Sequence, residues 1–153
     1  MTMMERNKSY MNLTVTDIAY IAGLFDGEGC VTCKKKPTKR KDRKNKVYEQ
    51  WYIRCELTMT DQYTVKWLHN TLGFGWFKEK KYKNKPKYKK QWRWACGYRD
   101  ALVFAKIVWP YAQVKLHKLE QIIDHYEPNV QGLNDNIVDL ASERNLRTGW
   151  VLE

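Results

Sequence analysis

No stretch of this 153-residue chain is apolar for long enough to span a bilayer. Its opening residues, MTMMERNKSYMN, lack the apolar h-region of a secretory signal. No lipidation signal and no amphipathic basic helix offers a membrane surface instead. Cysteine is sparse: the four residues at 30, 33, 55 and 96 suit a reducing compartment. Cys30-Val-Thr-Cys33 has CxxC spacing, but no second pair follows, so small half-buried strand residues are a better reading than a zinc or redox site. His69, His117 and His125 make no metal-ligand spacing either. Acids are outnumbered, 17 against 28 lysines and arginines, and the net charge of +11 calls for a polyanionic partner. These absences lead us to expect an intracellular, non-secreted protein with no membrane partner, in prokaryotic cytoplasm or an organelle.

What is present argues for a folded domain. Aromatic residues make up 14% of the chain, seven of them tryptophan, which is too many for a disordered polycation. The length suits one domain over 1–153, with a loose arm at 1–13, a core at 14–126 and a helical extension at 127–153 that includes a weaker helix at 134–146. The spacing predicts a helix from Thr14, then a strand over Cys30 to Lys36 running into an exposed basic hairpin tip, KKKPTKRKDRKNK. Val47 to Met59 alternates clearly, with Trp51, Ile53, Cys55 and Leu57 on one face and Tyr52, Arg54, Glu56 and Thr58 on the other. Asp61 to Leu72 reads as a helix stopped by Gly73. A third strand begins near Phe74, and Lys83 to Lys90 is a second basic tip. Gln91 to Cys96 is a fourth strand, with Trp92, Trp94 and Cys96 inward and Gln91 and Arg93 outward. Helices follow over Arg99 to Val108, with Leu102, Val103 and Ile107, and over Lys115 to Tyr126, with Leu116, Leu119, Ile122 and Ile123. Strand pairs alternating with helices give an α+β domain: a four-stranded antiparallel sheet with helices on one face and the basic residues on the other.

The stretch TVTDIAYIAGLFDGEG, Thr14 to Gly29, has two helical faces. Ile18, Ile21 and Phe25 form a bulky stripe; Ala19, Gly23 and Gly27 form one with almost no side chain. Gly23 costs about 1 kcal/mol against alanine in a helix interior, so it needs a reason. Small residues four apart let a second backbone approach closely, and two such helices would bring Asp26 and Glu28 to a shared end. On pattern alone the stretch reads rather as a buried helix with Gly27 or Gly29 as a left-handed C-cap.

The ten residues Ile21-Ala-Gly-Leu-Phe-Asp-Gly-Glu-Gly-Cys30 resemble the motif of the LAGLIDADG homing endonucleases almost position for position. The resemblance implies the αββαββα fold of that family over roughly residues 14–126. It also implies that the motif helix forms an interface between subunits, through Ala19, Gly23, Asp26 and Gly27. The motif occurs once, and single-motif chains of the family work as homodimers. Glu28 would be the catalytic metal ligand, where many members carry aspartate, and the Gly27 carbonyl an extra ligand. Mg²⁺ is the implied cofactor, with Mn²⁺ able to substitute and Ca²⁺ expected to bind without efficient cleavage. Lys115, five residues after Pro110, matches a family lysine at the edge of the active site; as a bare sequence feature it is as readily a surface lysine in a first helical turn. Asp61 stands where relatives often carry a water-organising glutamine. N-capping competes for it, Gln62 is an alternative next door, and Lys66 is a candidate basic residue of the pocket.

The outward residues of the expected sheet are Cys30, Thr32, Lys34, Lys36, Thr38 and Arg40 on the first strand and Tyr52, Arg54, Glu56 and Thr58 on the second. Lys78 and Lys80 on the third, with Gln91 and Arg93 on the fourth, complete the surface. A twisted sheet of this chemistry fits the major groove, where arginine pairs with guanine, glutamine with adenine, and glutamate accepts from cytosine. The expected function is a site-specific double-strand DNA endonuclease, encoded by an intron or intein-like element. The alternative is a non-catalytic binder on the same fold, either an intron RNA maturase or a DNA-binding regulator.

Overall fold

The computed structural model of the protein describes residues 12–39, 46–85 and 87–128. Arg40, the extension beyond residue 128 and almost all of the N-terminal arm lie outside that range. The elements in chain order are α1 (Val15–Glu28), β1 (Gly29–Lys39), β2 (Val47–Met59), α2 (Gln62–Leu72), β3 (Trp76–Lys80), β4 (Gln91–Gly97), α3 (Arg99–Val108) and α4 (Leu116–Tyr126). The four strands form one antiparallel sheet in the order β1-β2-β4-β3. The helices cover one face of it, as the alternation of strand pairs and helices predicts.

Local chemistry sets the ends of these elements. Thr14 caps α1, its hydroxyl accepting from Asp17 N at 3.1 Å. Asp61 caps α2, accepting from Thr64 N at 3.4 Å and from the Thr64 hydroxyl at 3.0 Å. Gly73 ends α2 at φ 74°, a conformation that costs other residues energy. The end of α1 differs from the left-handed cap that pattern alone allows. Gly27 is helical and Gly29 is extended, at φ −80° and ψ 160°. The glycine is needed there because any Cβ at 29 would strike the ring and carbonyl of Phe25.

The core lies between the inner sheet face and the helices. Trp94 is fully buried at its centre, with the Phe104 ring 5.0 Å away and its indole N–H donating to the Phe74 carbonyl at 3.1 Å. Phe25 meets Phe104 edge-on at 4.9 Å, which fixes α1 against α3. The buried stripe of α3 is Ala101, Phe104, Ala105 and Val108, with Leu102 beside it. The expected Val103 and Ile107 are only half-buried, because the smaller alanines bring the other side of the helix to the sheet. Cys33, Cys55 and Cys96 all lie on the inner face, Cys55 directly opposite Cys96. Burial pushes the Cys96 thiol well above its usual range, and Cys55 beside it adds to the rise.

Two expectations need correction. The first strand does not give way to a loop after Lys36; it stays paired to Lys39, opposite Val47. Lysines do not break it because its far half stands clear of the helices and each one is solvated. Lys35, for example, pairs with Glu49 at 3.6 Å. Trp51 shares the inner face with Ile53 but remains 38% exposed, since the hairpin outreaches the helical layer there. Among the described helices the end of α4 meets it, through the His125 ring at 4.5 Å, and Lys35 Nζ lies 5.6 Å from the Trp51 ring centroid.

Candidate nucleic-acid interface and acidic centre

One face of α1 is turned away from the core. Ala19, Gly23 and Gly27 are exposed, and a Cβ built at either glycine meets nothing within 4 Å. Ile21, Ala22 and Phe25 are buried on the opposite side, with Ile18 partly so. The bare ridge therefore serves no packing purpose among the described residues of this chain.

At the end of the ridge the two acids behave differently. Asp26 accepts from Gln113 N at 2.8 Å and from Lys115 N at 3.0 Å. It thus ties down the segment leading into α4 from a distance of almost ninety residues in sequence and anchors the backbone of Lys115 beside the motif. Glu28 is exposed, and none of the ion pairs among the described residues involves it. It stands in the last turn of α1, where the helix dipole is negative, and that turn contains no basic residue. An unpartnered carboxylate there is electrostatically unfavourable on its own. The last carbonyls of a helix lack intrahelical partners, which makes the Gly27 carbonyl a candidate second oxygen donor. No group of three or more His, Cys, Asp or Glu side chains among the described residues could hold a metal ion. Any cation at Glu28 would need donors beyond the acidic, histidine and cysteine side chains of the described residues.

Asp61 and Gln62 stand at the start of α2, with the Asp61 carboxylate already engaged as the N-cap. Lys66 is exposed on the same helix, and Lys115 is half-buried immediately before α4. Removing the Asp26 tie should be measurable without any substrate. In Asp26→Asn the amide can accept from one backbone N–H but not both. Hydrogen bonds to a charged acceptor that is partly solvated suggest a loss of about 1–2 kcal/mol, read as a lower urea midpoint; an unchanged midpoint would show that the tie holds nothing.

The cross-strand register assembles the outer face. Cys30 lies opposite Glu56, Thr32 opposite Arg54, Lys34 opposite Tyr52, Lys36 opposite Gln50 and Thr38 opposite Tyr48. Thr58 lies opposite Arg93, Lys78 opposite Arg93 on the other side, and Lys80 opposite Gln91. Directly paired residues share a face, so every described outward candidate falls on one surface. Aromatic rings floor it: Lys36 lies 4.0 Å from the Tyr52 ring centroid and Lys80 lies 5.1 Å from that of Tyr82. The Tyr82 hydroxyl in turn donates to Gln91 Oε1. Tyr48, Gln50 and Trp76 also belong to this face and escaped the sequence reading. The signal was there: Tyr48 and Gln50 are in phase with Tyr52, and Trp76 with Lys78.

The profile of the LAGLIDADG endonuclease family matches residues 21–94, from the motif in α1 through β4. Solved structures extend the likeness over the rest. A complex of the homing endonuclease I-CvuI with an I-CreI target is 15% identical, with TM-score 0.57, over 90% of this chain and 85% of that one. Residues 21–94 thus carry the likeness to the LAGLIDADG endonuclease family. The archaeal intron-encoded homing endonuclease I-Vdi141I, complexed with DNA, is 18% identical over 86% of this chain and 83% of its own, TM-score 0.54. I-TnaI is 16% identical over 82% and 86%, TM-score 0.52. At such identities the shared property is the fold, including the four-stranded sheet. No curated protein matches the chain. As in the sequence reading, the LAGLIDADG motif appears once in 153 residues, which fits the single-motif type.

Proposed function

We propose that this chain is a homodimeric, divalent-metal-dependent homing endonuclease, encoded within a mobile intron or intein-like element, that cuts both strands of a long, partly palindromic DNA site near its centre. The observation that carries the reading is Glu28: an exposed, unpaired acid at the negative end of its own helix, beside the basic face of a net +11 chain. A protein that only bound phosphates would gain nothing from a carboxylate there.

The residues divide the work. The sheet holds the duplex, its lysines touching phosphates and its planar polar side chains facing base edges. The bare ridge of α1 meets the same ridge of a second copy, which brings two Glu28 carboxylates together, one for each strand. Glu28 and the Gly27 carbonyl suit Mg²⁺ or Mn²⁺, which when bound lowers the pKa of its water and stabilises charge on the attacked phosphodiester. Lys115, anchored through Asp26, supplies positive charge at the edge of this centre, and Asp61 with Gln62 orders water nearby. Structures of similar fold solved on DNA with Mg or with Ca support the metal and the partner.

Incubation with a duplex DNA library tests the proposal. Discrete double-strand breaks are expected in Mg²⁺, and binding with little or no cutting in Ca²⁺. Tight, sequence-selective binding without breaks in either Mg²⁺ or Mn²⁺ would instead assign the chain to the maturase or regulator class.

A further inference from the structure

Two arginines on the outer face of the sheet are not equivalent. Arg54 on β2 and Arg93 on β4 converge on one carboxylate: Arg54 Nη2 is 3.2 Å and Arg93 Nε 3.7 Å from the same Glu56 Oε2. Arg54 and Glu56 are two residues apart on one strand and so share its face. Arg93 reaches in from the neighbouring strand, where it pairs with Thr58. The three side chains are 22%, 28% and 29% exposed for Arg54, Glu56 and Arg93, low values for charged groups on an open sheet.

Arg54 is held at both terminal nitrogens of its fork. Its Nη1 donates to the Tyr52 hydroxyl at 2.9 Å, its Nη2 faces Glu56, and its guanidinium lies 5.0 Å from the centroid of the Trp76 ring. Its Nε is buried with no hydrogen-bond partner among the described residues. A fork held at both tips and covered on one face is not free to turn toward a base edge. Arg93 is held differently. Only its Nε is drawn to Glu56, at ion-pair distance but beyond a hydrogen bond, and that atom is inaccessible. The exposure of the side chain therefore lies elsewhere, and no described residue engages its two terminal amino groups. The shank is anchored and the fork is open.

We propose that Arg93 is a specificity-determining residue of this face, reading guanine through its terminal fork, and that Glu56 is a positioning residue that aims it. Arg54 braces the same carboxylate and contributes charge rather than readout. Glu56 itself reads no cytosine, since its carboxylate already stands between two guanidinium groups. The inference rests on the sheet being a DNA surface, as proposed above. Two adjacent guanidinium groups would repel each other and splay without the acid between them. With it, one cation is fixed and the other is left pointing outward at a defined angle, the condition for a bidentate contact to O6 and N7.

A duplex library with a randomised core, selected for binding in Ca²⁺, separates the roles. Lysine keeps the charge of arginine but loses the fork. Arg93→Lys should flatten one guanine preference in each half-site, lowering discrimination there roughly tenfold to a hundredfold, with other positions unchanged. Arg93→Gln should move that preference toward adenine, a gain that misfolding cannot imitate. Glu56→Gln should weaken the same guanine position without weakening overall duplex binding, whereas Arg54→Lys should select the wild-type consensus. An unaltered consensus in both Arg93 variants, or loss of a guanine in Arg54→Lys, overturns the assignment while leaving the DNA reading intact. A wild-type protein that enriches no sequence removes the DNA reading itself, and this inference with it.

Discussion

Glu28→Gln should abolish cleavage and leave duplex binding in Ca²⁺ within a few-fold of the parent. Glutamine preserves the length and shape of the side chain and removes only the charge. The residue is exposed and outside every ion pair of the described chain, so folding loses nothing by the change. Removal of one acid at a helix C-terminus even relieves a small dipole penalty of about 0.3–1 kcal/mol. The chemistry is another matter. Charge stabilisation at an attacked phosphodiester is worth several kcal/mol, and each 1.4 kcal/mol is a factor of ten in rate, so a loss of roughly a thousandfold or more is expected. Single-turnover cleavage and a binding titration read the two effects apart. A variant that cuts at the parental rate takes Glu28 out of the reaction, and Glu28→Asp, which shortens the arm but keeps the charge, should retain part of the activity.

The second large effect concerns the ridge. Gly23→Leu should break the proposed dimer while making the single chain's helix more favourable. A Cβ at position 23 meets nothing within 4 Å in its own chain, so leucine has room there. Within a helix it gains close to the full glycine penalty, about 0.8–1 kcal/mol. Across the proposed two-fold interface the same side chain would appear twice against a facing backbone. Overpacking costs about 1–3 kcal/mol per site, so self-association should weaken from about thirtyfold to about ten-thousandfold. Sedimentation gives the assembly, and helicity by circular dichroism gives the fold. An active dimer persisting at low protein concentration would place the contact surface elsewhere.

Much of this arrangement could be read from one sequence, and the reason is periodicity. The stripes of α1, the alternation of β2 and the stop at Gly73 are local, and local patterns survive without knowledge of the fold. The outward set on four strands follows from the same alternation, which is why Lys78, Lys80, Gln91 and Arg93 fall with Arg54 and Thr58 on one surface. Distant contacts leave no such trace. Nothing in the sequence links Asp26 to the backbone of Gln113 and Lys115. The reach of β1 to Lys39 was hidden by charge, because a run of lysines has the composition of a loop unless the partner strand is known. The Arg54–Glu56 pair lay between these cases. Opposite charges at i and i+2 on an alternating strand already share a face, but the arrival of Arg93 from β4 is a fact of the sheet order.

The junction at Gly29 has one more consequence. Helix α1 ends at Glu28 and the first strand starts at the next residue, folded so tightly against Phe25 that no side chain fits. The acid at the end of α1 and the outer face of β1 are thus fixed to one another. Slipping a single residue in after Glu28 would turn β1 over, presenting Val31 and Cys33 to the duplex and hiding Thr32 and Lys34 beneath the helices. On the proposed function, new targets would therefore be reached by swapping side chains along the strands, but not by lengthening or shortening the link that joins the acid to the sheet.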